Sequence, residues 1–270
     1  MPDAFPRHWP EYVIEAALIG VFMLAACVAV TVFAHPSSPV ARRWRGPHRP
    51  RIAVGVLMGL TAVALIYSPW GERSGAHMNP GVTLAFWALG KVRSADALFY
   101  IVFQNLGAIS GVLVARLILG RAVAHPLVNF AVTAPSPDRR APRRAAWLGE
   151  FTIAFVMMST VLWSANSPAV APFTGLFAGL LVAVFIAVEA PLSGMSMNPA
   201  RSLGSALPAR AFRDLWIYFS APPLAMLAAA GLYAGVRGAG SVHCCKLSHP
   251  EGPCVFECRS ASNNEAARHR

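Results

Sequence analysis

The sequence predicts an all-α membrane protein: six transmembrane helices plus two re-entrant half-helices, arranged as an inverted repeat. Three observations carry that expectation. Of 270 residues, 56% are hydrophobic and 13% charged, about half the roughly 25% charged content of soluble domains. Six stretches are apolar enough, at about 20 residues each, to cross a bilayer. Two further segments, each holding an Asn-Pro pair, match one another in the two halves of the chain.

The elements follow in order. Residues 12–34 are interrupted only by Glu15, and 52–70 and 97–115 carry no charge. In the second half, 145–171 carry only Glu150, and 173–188 and 215–236 none. Two apolar pieces, 78–90 and 195–208, are too short to cross. The first ten residues lack a basic stretch followed by an apolar core, so no cleavable signal peptide is expected. The resulting division is a stub at 1–11, a membrane unit at 12–236 with repeats over 12–124 and 145–236, and a tail at 237–270. The formal net charge of +11 raises nucleic acid as a partner. The basic residues, however, sit in short blocks between apolar runs. Membrane lipid is the expected partner, and nucleic acid is not.

Residues 74–84 (SGAHMNPGVTL) align without a gap on 193–203 (SGMSMNPARSL), with six identities in eleven. Each half opens its first helix with a lone carboxylate, Glu15 and Glu150, and the Pro/Arg-rich stretch 125–144 reads as the linker between them. Three spans plus one short piece is an odd unit, so its second copy enters the membrane from the opposite side. Asn is a strong N-cap, and Pro suits the first helical position, where a missing N–H is harmless. Asn79-Pro80-Gly81 and Asn198-Pro199-Ala200 therefore start two half-helices, which are tolerated in a bilayer only where their ends are buried or line a wet cavity. Two such N-termini meeting near the midplane present about half a positive charge each. With each Asn oxygen capping its own helix, the amide N–H groups point into the lumen as donors for a neutral solute, while cations and protons are repelled.

These segments resemble the paired signature loops of the aquaporins, the major intrinsic protein family, and the resemblance covers about residues 11–236. It implies a passive channel and not an enzyme, with no cofactor required, water or a small neutral solute as the permeant, and a homotetramer in the plasma (inner) membrane. The first motif departs from the family by carrying Gly81 where Ala is usual. Arg201 matches the family's constriction arginine; bare in mid-membrane it would cost roughly 2.5–3.5 kcal/mol, so a lumen position is sensible. The resemblance places the other constriction positions at Gly59, Ile186 and Met195. Water-selective members carry an aromatic at the first and a histidine at the second, so Gly59 and Ile186 imply a wider filter unless Met195 folds across the gap. Ser202, Ala206 and the Tyr218-Phe219 pair resemble the water-conducting branch instead. Water conduction is the first expectation, and small uncharged solutes such as glycerol, urea or metalloid hydroxides stay open because of Gly59 and Ile186.

The resemblance assigns Glu15 and Glu150 to supporting the re-entrant loops. His77 resembles a pore-lining histidine, with a packed histidine as the alternative, and Glu189 reads as a solvated acid at a helix end. Gly107 and Gly111, at GxxxG spacing, permit a close helix crossing. The family places both termini in the cytoplasm, whereas the basic residues concentrate on the opposite face, Arg42, Arg43, Arg45, Arg139, Arg140, Arg143 and Arg144 among them. The positive-inside rule would invert the molecule.

Four of five cysteines lie in the tail, and Cys27 reads as packing. Cys244 or Cys245 with His249, Cys254 and Cys258 supplies a Cys₃His set for zinc; the alternative is a tail of reduced thiols. An inverted-repeat secondary transporter is the competing membrane function and would need ion-coupling groups within the spans.

Overall fold

The computed structural model describes residues 4–44, 46, 48–136, 143–249, 254, 256 and 258. Residues 1–3 of the stub, Arg45, Arg139 and Arg140 of the basic blocks, and 259–270 of the tail lie outside them. Among the described residues, eight helices of nine residues or more build the molecule. They are α1 (Ala4–Ala34), α2 (Arg49–Ile66), α3 (Pro80–Ala88), α4 (Ser94–Leu119), α5 (Arg143–Ala165), α6 (Thr174–Val188), α7 (Pro199–Ala209) and α8 (Leu215–Arg237). All but α3 and α7 are long and apolar enough to span a membrane, α4 and α6 when taken with the adjoining turns as Ser94–Ala124 and Ala171–Val188.

Proline and its neighbours shift several boundaries from those the apolar runs suggest. Helix α2 stops at Ile66 because Pro69 disfavours helical geometry in the residue before it. The Ser68 hydroxyl instead accepts from the Gly71 N–H at 3.0 Å and starts a separate turn, Pro69–Ser74. Helix α5 ends at Ala165, ahead of the turn holding Pro168. In contrast, α1 begins at Ala4, so most of the expected stub is helical. Its Glu11 is buried and takes an ion pair from Arg73 at 2.9 Å.

The helix contacts obey the two-fold of the repeat. Helix α1 packs on α4 as α5 packs on α8; α4 packs on α7 as α8 packs on α3; α1 meets α2 as α5 meets α6. The pair α2–α6 lies on the pseudo-axis and contacts itself across it. Small residues set these crossings, because lipid provides no hydrophobic drive between helices and association rests on close packing. Gly107 and Gly111 lie against the backbone of Ala16 and Gly20 where α4 crosses α1. On the axis, a Cβ at Gly55 would stand 2.6 Å from the Ala183 carbonyl oxygen. Leu60, Leu106, Leu180 and Leu232 point outward and are exposed, as a lipid-facing surface requires.

Six spans bring the start of α1 and the end of α8 to one face. Beyond α8 the tail turns back across that face. The His243 N–H donates to Asn166 Oδ1 at 2.7 Å, and residues 244–247 are buried against the first re-entrant loop.

Candidate functional site: two re-entrant loops around a cavity

Each half-helix is started as its sequence dictates. Asn79 is extended, and its Oδ1 accepts from the Gly81 N–H at 2.8 Å. Asn198 Oδ1 accepts from the N–H groups of Ala200 and Arg201 at 3.0 and 3.3 Å. The carboxamide N–H groups are not both left for the lumen, as the caps alone had suggested. One from Asn79 crosses to the Met197 carbonyl at 2.7 Å, and one from Asn198 crosses to the Met78 carbonyl at 2.6 Å. The two loops are thereby stitched together at their tips, and one N–H per carboxamide remains facing the cavity that both residues border.

The backbone ahead of each Asn takes an unusual path. Gly75, Ala76 and Met78 have φ of 94°, 54° and 48°, and Gly194, Met195 and Met197 repeat this at 87°, 51° and 54°. Left-handed geometry costs a residue with a Cβ roughly 1–2 kcal/mol, so something must hold it. The buried carboxylates do. Glu15 accepts from Ser74 Oγ, the N–H groups of His77 and Met78, and the Gln104 amide, at 2.8, 3.0, 2.6 and 2.8 Å. Glu150 lies 2.6 Å from Ser193 Oγ and accepts from the N–H groups of Ser196 and Met197, both at 2.7 Å. A tyrosine closes each loop from the side: Tyr100 donates to the Ser74 carbonyl at 2.7 Å and Tyr218 to that of Ser193. The serines were present in the repeat match, and the tyrosines stand at nearly equal spacing after them. That spacing was the available signal for Tyr100, which the motifs do not include, and for the supporting role of Tyr218.

A cavity of about 540 Å³ lies between the halves, bordered by Asn79, Asn198, Arg201, Ile186, Met195 and His77. Its remaining wall is largely apolar, from Ile19, Phe22, Val82, Met157, Val161 and Val182. Arg201 donates from Nη1 to the Ala131 carbonyl at 2.9 Å, so a backbone loop of the linker holds its guanidinium beside the lumen. Gly59 stands apart from the other three residues read as a constriction. A Cβ there would stand 2.5 Å from the Gly179 carbonyl oxygen, so Gly59 serves the α2–α6 crossing, and its neighbour Met58 borders the cavity. Gly81 also has a packing account: a Cβ would stand 2.8 Å from Met226 Sδ on α8.

His77 borders the cavity, yet both ring nitrogens are engaged. Nδ1 lies 3.1 Å from Thr83 Oγ1 and Nε2 lies 2.9 Å from the Cys245 carbonyl, while Phe86 stacks on the ring at 5.3 Å. Since a carbonyl only accepts, Nε2 carries the proton and donates to it. Glu189 is not the solvated acid its place at a helix end suggested. Its Oε2 lies 2.8 Å from Ser193 Oγ and its Oε1 is buried without a partner among the described residues. Burial, opposed by the Ser193 bond and reinforced by the Glu150 charge, pushes its carboxyl up to about 8. Cys27 is buried, its thiol 3.7 Å from the Phe130 carbonyl.

The model of the major intrinsic protein family matches residues 6–233. Aquaporin NIP2-2 of Zea mays is 32% identical over 87% of this chain and 74% of its own length. Aquaporin NIP3-1 of Oryza sativa subsp. japonica is 32% identical over 82% of this chain and 67% of its own. Among solved structures, the aquaglyceroporin from Plasmodium falciparum superposes with a TM-score of 0.70, covering 85% of this chain and 96% of that one at 19% identity, a likeness of fold. The re-entrant loops, the crossed asparagines and these matches together make the chain a member of the major intrinsic protein family.

Proposed function

We propose that this passive, multi-pass membrane channel conducts water down osmotic gradients while excluding ions and protons. The observation that carries the reading is the donor set of the cavity. Two half-helix N-termini, one free N–H on each of Asn79 and Asn198, and the Arg201 guanidinium face an otherwise apolar wall. A solute must offer oxygen lone pairs to these donors, whereas a cation meets positive ends and an arginine. The second reading is a facilitator for small neutral solutes such as glycerol, urea or metalloid hydroxides. It is favoured by Ile186, which puts an aliphatic side chain on the cavity wall, and by the aquaglyceroporin name of the structural neighbour.

We further read residues 12–236 as the conducting unit. The proposed assembly is a homotetramer in the plasma (inner) membrane, with both termini in the cytoplasm, where a thiol-rich tail suits a reducing compartment. Stopped-flow shrinkage of proteoliposomes under an impermeant osmolyte tests the conduction reading. Light scattering faster than that of empty vesicles is the expected result. Re-swelling with glycerol or urea as fast as water entry would make the second reading the correct one. No acceleration with any solute would refute both.

A further inference from the structure

The tail is fastened to the first re-entrant loop at several points. The Leu247 N–H donates to the Gly75 carbonyl at 3.2 Å, Ser248 Oγ donates to Glu72 Oε1 at 3.1 Å, and the His77 ring meets the Cys245 carbonyl. Phe256 stacks on His77 at 6.1 Å and meets Tyr100 edge-on at 5.8 Å. Leu247 itself borders the cavity on the face where α1 starts and α8 ends. Past α8 the described tail holds only one turn of helix, Ala239–Ser241. A segment this short lacks the core to order itself, and such segments are held by a disulfide, a metal or docking.

One ligand atom from each of Cys244, His249, Cys254 and Cys258 lies within 4.8 Å of the others. Cys244 Sγ and Cys254 Sγ are 3.6 Å apart, and His249 Nε2 is 3.1 Å from Cys258 Sγ. A disulfide would need about 2.05 Å between sulfurs. A tetrahedral zinc site with bonds of about 2.3 Å to sulfur and 2.0 Å to nitrogen sets its ligand atoms about 3.5–3.8 Å apart. Three soft thiolates and an imidazole are a structural zinc set. The carbonyl of Cys245 is committed to His77, and Cys244 is the member of the Cys-Cys pair that joins the cluster.

We propose that Cys244, His249, Cys254 and Cys258 bind one Zn(II) in a tetrahedral Cys₃His site that fastens the tail across the channel mouth. Binding deprotonates the three thiols and releases their protons, and it is redox-neutral. Because Leu247 lies between the first ligand and the other three, the metal also fixes the side chain that narrows that end of the cavity. Removing zinc frees the segment and opens the mouth. This second part rests on the reading of the cavity as a conducting path; the metal site does not.

The test uses the full chain, purified with a thiol reductant and analysed for metal by mass spectrometry. The expected content is about one zinc per chain, falling to near zero in Cys254→Ser/Cys258→Ser. Cobalt(II) put in its place should give the intense visible bands of a tetrahedral thiolate site. A metal-free protein, a content unchanged by the double substitution, or an intact mass short by the two hydrogens of a disulfide would each overturn the site. In proteoliposomes, a zinc chelator on the tail side should raise osmotic permeability at least about twofold. Leu247→Ala, which keeps all four ligands, should raise it without loss of zinc. Permeability unchanged in both cases would overturn the lid while leaving the metal site standing. No flux in any variant, with zinc bound, would count against the conduction reading and not against the metal.

Discussion

The two re-entrant loops share a frame and differ in what covers them and in what they present to the lumen. In both, a carboxylate from the first helix of the repeat, a Ser hydroxyl, a tyrosine and a crossed asparagine hold the same left-handed turns. Three places after the Asn, however, the first loop has Val82 and the second Arg201. The first is covered by the C-terminal tail. The second is covered by the inter-repeat linker, where the Ser136 N–H donates to the Leu192 carbonyl at 2.9 Å and Thr133 Oγ1 lies 2.7 Å from Ser202 Oγ. The frame is therefore duplicated, while the arginine beside the lumen and the tail cover each occur on one side only.

Removing a supporting carboxylate should have the largest effect. Glu15→Ala leaves four donor groups without this acceptor, whereas Glu150→Ala leaves two, the N–H groups of Ser196 and Met197, because Ser193 Oγ keeps Glu189 within reach. At about 1–3 kcal/mol for each buried donor left unsatisfied, the detergent-solubilised protein should melt about 10 °C or more lower, and osmotic flux should be lost. The Gln104 contact has no counterpart on Glu150, so Glu15→Ala should be the worse of the two. Equal melting points would show that the frame is more symmetric than its hydrogen bonds.

The next effect concerns the charge present on one side alone. Arg201→Val gives the second loop the side chain that the first carries at the matching place. Proton leak into vesicles, read with an internal pH dye, should rise by about tenfold, the loss of about 1.4 kcal/mol of electrostatic barrier. Water flux should persist, because both asparagines keep their free N–H. An unchanged leak would move the cation barrier from Arg201 to the half-helix termini.

Most of the frame was legible in the sequence because it is local. Spans show as apolar runs, Asn-Pro marks two helix starts, and a match of eleven residues reveals the repeat. What was not legible depends on contacts between distant segments. The second job of each Asn lies on the opposite loop more than a hundred residues away. Gly59 at a constriction position gives no hint that α6 occupies the space its side chain would fill. Nor does the order of residues in 242–258 show that the tail folds onto the loop around His77. The Cys and His spacing was legible as a set of ligands, but which of Cys244 and Cys245 joins the set shows only in the folded chain, where the Cys244 ligand atom lies in the cluster.

The smallest expected effect tests Glu189, which occupies in the second loop the place held by exposed Trp70 in the first. Ser193 Oγ lies within reach of both Glu150 and Glu189 and has one proton to give. With Glu189 protonated, its carboxyl donates to Ser193 and the serine donates on to Glu150. Ionised, Glu189 competes with Glu150 for that one proton and sets a second negative charge beside it. The folded state keeps the proton up to about pH 8, whereas the unfolded chain releases it near the ordinary value of 4.5. The stability this group contributes is therefore fully present below about pH 4.5 and is lost as pH rises through 8. The melting temperature should fall across that window, and Glu189→Gln, which cannot ionise, should flatten the slope. The same fall in Glu189→Gln would place the titrating group elsewhere, and the two loops would then differ in Arg201 and in their covers, without a pH-sensitive support on one side.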